Sequence, residues 1–135
     1  AIMNSLDWLY KKWQITDEIA LKGLNAVEEH YANASSYYNF EMVTPEFLLN
    51  NLGYYYMRQN DLDKAYEVLE LNRMRYDKSP NVYDSFGEIL EKKGDLKGAL
   101  ENYKKAAELG EKMNHEALDW FRKNVERLEE ELKKD

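Results

Sequence analysis

Hydrophobic and polar positions along this chain recur with a period of 34 residues. Displacing the sequence by that amount lays Glu46–Ser79 over Pro80–Met113 and pairs Gly53 with Gly87, Asp61 with Asp95, Leu62 with Leu96 and Ala65 with Ala99. Other pairs keep bulk without identity: Leu49 with Tyr83, Leu52 with Phe86, Tyr56 with Leu90, Leu69 with Tyr103. Apolar residues stand at positions 4, 7 and 11 of each unit, the i, i+3, i+7 stripe that a helix turns to one side. Position 8 is glycine and position 20 is alanine in both units. Small side chains there predict a close crossing of two antiparallel helices, which a larger residue would overpack by roughly 1–3 kcal/mol.

Boundary signals agree with two such hairpins. Thr44-Pro45 and Ser79-Pro80 each predict a hydroxyl N-cap followed by proline at the first helical position. Asn60-Asp61 and Gly94-Asp95 predict the turn inside each hairpin, with the aspartate capping the second helix. Two units alone leave apolar faces bare at both ends, and about three are usually needed for stability, so the flanks are expected to act as caps. From Asn114 the chain reads as one amphipathic helix with Ala117, Phe121, Val125, Leu128 and Leu132 on one face. It is not a third unit, because Trp120 and Phe121 fall at positions 7 and 8. Upstream, Ser5–Trp13 suggests a short helix. Thr16 then caps a predicted helix running to about Asn33, with Ile19, Ala20, Leu24, Val27 and Tyr31 on one face, packing on the first unit. The polar-aromatic stretch Ala34–Val43 reads as a loop or broken turn.

The expectation is an all-α fold of antiparallel helical hairpins. It comprises an N-terminal helical segment over 1–43, two units over 44–113 (46–79 and 80–113) and a C-terminal capping helix over 114–135. The pattern Leu49, Leu52, Gly53, Tyr56, Ala65, Leu69, followed by Tyr83, Phe86, Gly87, Leu90, Ala99, Tyr103, Ala106, resembles the tetratricopeptide repeat. Two departures stand out. Asn72 replaces the small residue matched by Ala106, and Asp77 and Glu111 stand where a proline is usual.

Composition narrows the function classes. Of 135 residues, 44% are hydrophobic and 33% charged, with two prolines and six glycines, which fits a folded helical chain rather than a disordered one. A formal charge of −7, with lysines and arginines scattered among acids, opposes nucleic acid and anionic membrane. The absence of cysteine excludes disulfides, thiolate catalysis and cysteine zinc sites, and leaves the redox compartment unread. No apolar run approaches the roughly 20 residues of a membrane span, and no signal peptide is recognisable. The opening Ala1-Ile2-Met3 reads as a tag remnant on an excised segment, so the compartment, cytoplasmic or periplasmic, stays open.

Candidate chemistry is sparse. His115 is expected to be a solvated first-turn residue, and His30, beside Glu28 and Glu29, has no second histidine within a turn to make a metal site. No nucleophile elbow, P-loop or dinucleotide glycine motif is present, so no catalytic residue, metal or cofactor is assigned. Tyr56, Tyr83 and Tyr103 are expected in the hairpin cores. Tyr54, at unit position 9, faces the concave side that such repeats use for peptides. Asn50, Asn51 and Arg58 are placed with it, joined by Asn81, Asp84, Ser85 and Glu88 from the second unit, as groups able to hydrogen-bond an extended peptide. The clamp by which some of these domains hold chaperone carboxylates needs lysine and asparagine at positions 5 and 9. Here the pairs are Asn50 with Tyr54 and Asp84 with Glu88, which disfavours it.

A further resemblance lies in Gly23-Leu24, His30-Tyr31, Ser35-Ser36-Tyr37, Pro45-Glu46 and Asn50-Asn51-Leu52-Gly53-Tyr54. This run is similar to the junction between a bacterial α/β-hydrolase-fold esterase, of the siderophore-esterase-like kind, and its C-terminal repeats. Trp8 to Trp13 would correspond to the trailing edge of the hydrolase domain, and Asn81–Glu88 is typical of repeats appended to bacterial serine hydrolases. The resemblance implies a non-catalytic interaction domain of such an esterase, binding a protein or peptide that includes the parent's own catalytic domain among its candidates. The competing implication is a structural or regulatory appendage that packs or homo-oligomerises without a peptide ligand.

Overall fold

The repeat pattern produces helices where its apolar stripes fall. The computed structural model describes residues 17–134, and every regular element among them is helical: α1 (Asp17–Leu21), α2 (Leu24–Tyr38), α3 (Glu46–Arg58), α4 (Leu62–Arg75), α5 (Pro80–Lys92), α6 (Leu96–Lys112) and α7 (Leu118–Lys133). The chain divides into two compact units, one up to Pro45 and one from Glu46. The helix expected at Ser5–Trp13, the Thr16 cap and the Ala1 remnant lie outside the described residues.

In the first unit the single helix expected from Thr16 to Asn33 is two helices. Gly23 takes φ 101°, a left-handed backbone that glycine adopts without steric cost, and the chain breaks between α1 and α2. The apolar stripe survives the break in part: Val27 and Tyr31 are buried, while Ile19, Ala20 and Leu24 are half-buried. Helix α2 also runs five residues past Asn33, so Ala34–Tyr38, expected as loop, is helical and Ala34 is buried. It ends at Asn39, φ 56°, a left-handed C-terminal residue of the kind asparagine tolerates. Ser35 explains the extension. Its hydroxyl oxygen accepts the Met42 amide at 2.7 Å and lies 2.9 Å from the Tyr31 carbonyl, tying the following loop back onto the helix. Thr44, almost fully buried, donates its hydroxyl to Glu28 Oε1 at 2.7 Å.

The second unit is a row of helices in which α3 packs on α4, α4 on α5, α5 on α6 and α6 on α7. Both hairpins close at the predicted crossings. Ala65 and Ala99 are completely buried. A Cβ on Gly87 would stand 2.7 Å from Tyr103 Cε1, and one on Gly53 would overlap Leu69, the residue aligned with Tyr103. Both turns also form as read. Asn60 (φ 58°) and Gly94 (φ 87°) reverse the chain in left-handed conformation. Asp61 Oδ1 then accepts from the Lys64 amide at 3.2 Å and Asp95 Oδ1 from the Gly98 amide at 2.9 Å, satisfying first-turn donors of α4 and α6.

Five expectations need correction. Thr44 is not an N-cap ahead of a helical proline, because α3 starts at Glu46 and Pro45 precedes it, and the Thr44 hydroxyl is turned to Glu28. Ser79 does occupy the N-cap of α5 ahead of Pro80, but its side chain makes no capping bond. Instead the hydroxyl donates to Glu46 Oε1 at 2.8 Å, linking the starts of α5 and α3. Tyr83 is half-buried rather than core, with its hydroxyl donating to the Asp77 carbonyl at 3.1 Å. Helix α5 is flanked by α4 and α6, so it buries Val82, Ser85 and Ile89 besides Phe86 and Leu90. The C-terminal helix starts at Leu118, not Asn114, because Asn114 turns at φ 50°. His115 is accordingly no solvated first-turn residue. It is half-buried, its Nδ1 accepts the Ala117 amide at 3.1 Å, and its ring lies 5.5 Å from Phe121.

Helix α7 docks by the same steric device with the sizes exchanged. Its Phe121, 1% exposed, sits over Gly110 of α6, where a Cβ would come 3.0 Å from Phe121 Cδ2. Phe121 and Leu128 are buried on the predicted face and Val125 and Leu132 half-buried, and Asn124 is buried beside them. Asn72, the departure from a small residue, is fully buried and donates from Nδ2 to the Glu46 carbonyl at 3.1 Å, while its Oδ1 has no partner. Among the described residues no helix is long and apolar enough to cross a membrane.

Candidate functional site

Helical repeats stack their first helices side by side, which brings equivalent positions together. Tyr54 on α3 and Glu88 on α5 are both position 9, and the Tyr54 hydroxyl donates to Glu88 Oε2 at 2.7 Å. One turn earlier, Ser85 of α5 donates to Asn50 Oδ1 of α3 at 2.6 Å. The α3–α5 seam is thus joined by side chains that the sequence reading offers to a peptide, here bonded to one another. Ser85 is 4% exposed, so it is a structural contact of this seam rather than an open ligand donor.

An open groove of about 530 Å³ lies alongside this seam, lined by Tyr54, Asp84, Glu88, Glu91, Lys92, Tyr103, Trp120, Asn124 and Arg127. Its far wall is helix α7. Asp84 reaches across to that wall, accepting from Asn124 Nδ2 at 2.9 Å and from the Trp120 indole Nε1 at 3.2 Å. Glu91 is gripped by Arg127, whose two guanidinium nitrogens donate to its two carboxylate oxygens at 2.7 and 2.8 Å. Tyr103, from α6 beneath, adds its hydroxyl to Glu91 Oε2 at 2.8 Å.

The electrostatics follow from these partners. Hydrogen bonds from Arg127 hold the Glu91 carboxyl below its ordinary range, against the opposing effect of burial. Asp84 goes the other way: burial raises it, its two neutral donors oppose the rise, and the Glu88 charge adds to it. Burial also pushes the Tyr54 phenol up, reinforced by Glu88 and Asp84 and opposed by a bond with Ser85. Tyr54 therefore remains a hydrogen-bond donor at any physiological pH. Tyr103 is raised likewise, by burial and then by Glu91.

Of the eight residues proposed from sequence, Tyr54, Asp84 and Glu88 line the groove, and Asn50 and Ser85 support the seam behind it. Asn51, Arg58 and Asn81 are exposed and are not among its lining residues. Sequence reasoning missed Glu91, Lys92, Tyr103, Trp120, Asn124 and Arg127. Three of these belong to α7, which was read as a cap with a merely solvated outer face. The available signal was Trp120 itself, a large aromatic standing beside the buried-face Phe121 and therefore pointed elsewhere.

Among the described residues no cluster of three or more His, Cys, Asp or Glu side chains is disposed to hold a metal ion. His30 is half-buried, with its ring edge-on to Tyr31 at a centroid distance of 5.2 Å. The sequence matches no protein-family model and no curated protein.

Proposed function

We propose that the unit from Glu46 onward is a tetratricopeptide-type interaction module that takes an extended segment of a partner protein in the groove between α3, α5 and α7. The observation that supports this most is the convergence of position 9 from both hairpins, Tyr54 and Glu88, at the edge of an open groove. Aromatic, carboxylate and amide groups gathered on rigid helices are the equipment for holding an extended peptide, with side chains fixed before the ligand arrives. Following the resemblance in the first half, the module belongs to a bacterial α/β-hydrolase-fold esterase, to which it contributes binding and no catalytic group.

A peptide library selected on the purified chain tests the groove reading. Selected peptides are expected to shift the NMR resonances of Tyr54, Trp120 and Asn124. Selection that yields no binder, or binders that perturb only residues outside the groove, overturns it. Addition of the chain in trans to the isolated hydrolase domain tests the larger setting, which fails if the two do not associate.

A further inference from the structure

We infer that the occupant of this groove is a cationic segment, an extended peptide presenting a lysine or arginine side chain to Asp84 and Glu88. The inference rests on the groove reading above and adds the chemistry of the partner.

Three carboxylates line the groove, and the protein treats them differently. Glu91 has its own counter-charge in Arg127, bound through two parallel hydrogen bonds. Among the described residues neither Asp84 nor Glu88 makes an ion pair. Their hydrogen-bond donors are the Trp120 indole, the Asn124 amide and the Tyr54 phenol, all neutral. Lys92 lies on the groove lining, one turn beyond Glu88 on α5, and is in no ion pair with either acid. The two acids stand four residues apart on α5, where like charges on one helical face destabilise each other. Both sit half-buried, where screening by water is reduced. A cation placed between them would remove that repulsion, and among the described residues Arg127 is engaged by Glu91 and no lysine or arginine pairs with either acid.

The aromatic walls point the same way. Trp120 is 59% exposed, lines the groove and is tied to Asp84 through its Nε1. With Tyr54 on the same lining, an entering ammonium or guanidinium would meet carboxylates and aromatic side chains together, the combination that favours cations over neutral groups. An anionic ligand would face two uncompensated negative charges, so the polarity is the reverse of a carboxylate clamp.

The test uses three labelled nonapeptides of alanine and serine in which alternate positions carry lysine and arginine, glutamine, or glutamate. The full chain is titrated with each by fluorescence anisotropy, and the Trp120 indole N–H resonance is followed by NMR. The cationic peptide is expected to bind, shift Trp120, and lose at least about tenfold in affinity with Glu88→Gln, as for loss of one charge-assisted contact. Glu101→Gln, an exposed acid on α6 away from the groove, should change affinity by less than about twofold, which separates groove recognition from attraction to the chain's net charge of −7. Equal weakening by both variants overturns the inference, as does binding of the cationic peptide without a Trp120 shift. Binding of the glutamine or glutamate peptide in preference, with a Trp120 shift, overturns the cationic inference while leaving the groove reading intact. Failure of all three to bind overturns the cationic inference, and the library selection then decides the groove.

Discussion

Arg127 and Glu91 face each other through a two-pronged pair, Nη1 to Oε1 at 2.7 Å and Nη2 to Oε2 at 2.8 Å, which fastens α7 to α5 across the groove. The pair depends on Glu91 being ionised. Its folded-state pKa is lowered from the ordinary 4.5, so the stabilisation is fully present above 4.5 and is lost as pH falls through the lower folded value. Arg127 is 47% exposed, so solvent screening limits the contribution to about 1 kcal/mol. Urea denaturation of the parent and Glu91→Gln should differ by about that amount at pH 7 and by less at pH 3, below the ordinary value of 4.5. A constant difference at both pH values would show that ionisation is not what matters.

Gly87→Ala should destabilise the chain even though alanine is the better helix former. Replacing a helical glycine gains up to ~1 kcal/mol in propensity, while forcing the Tyr103 ring aside costs roughly 1–3 kcal/mol, so a net loss of up to about 2 kcal/mol is expected. The ring cannot retreat freely, because its hydroxyl is held by Glu91 at 2.8 Å. In a Tyr103→Phe background the same substitution should therefore cost less. A double-mutant cycle by thermal denaturation measures this coupling, and strict additivity would contradict the account.

Asn72 separates two kinds of buried polarity. Asn72→Ala, which copies Ala106 of the other hairpin, gives up one hydrogen bond but also removes an unpartnered oxygen, so the change should stay within about 1 kcal/mol. Asn72→Asp places an unpaired carboxylate at a fully buried site and should cost roughly 3 kcal/mol or more at neutral pH. Denaturant midpoints of the two variants give the comparison directly.

Arg58 and Trp120 test where the ligand surface ends. Arg58 is exposed and is not a lining residue, so Arg58→Ala should leave stability within about 0.5 kcal/mol and leave binding of a selected peptide unchanged. Trp120→Ala should also spare most of the stability, since the side chain is 59% exposed, but weaken that peptide by about tenfold or more, as truncation of an aromatic anchor does. Titration calorimetry with both variants distinguishes them, and the opposite ranking would move the site to the Arg58 side.

Much of the fold is legible in the sequence because its determinants are local or periodic. The 34-residue register places Gly53, Gly87, Ala65 and Ala99 at the helix crossings, and Asp61 and Asp95 cap the helices that follow them by bonds to amides three residues ahead. Gly23 was legible too, but an apolar periodicity that continues across it concealed the break, and its positive φ decided the matter.

The site was less legible, for a reason of distance. Tyr54 and Glu88 were predictable partners because they are one repeat apart, and stacking of like helices preserves that register. Asp84 instead meets Trp120 and Asn124, 36 and 40 residues on, across a helix that follows no repeat rule. By itself the sequence determined most of the helices and their hairpin crossings, because hydrogen bonding within a helix and steric fit at a repeated position act over short or periodic separations. Only the tertiary structure decided the groove: the seating of Phe121 on Gly110 sets the position of α7, and that packing carries Trp120, Asn124 and Arg127 to the acids of α5.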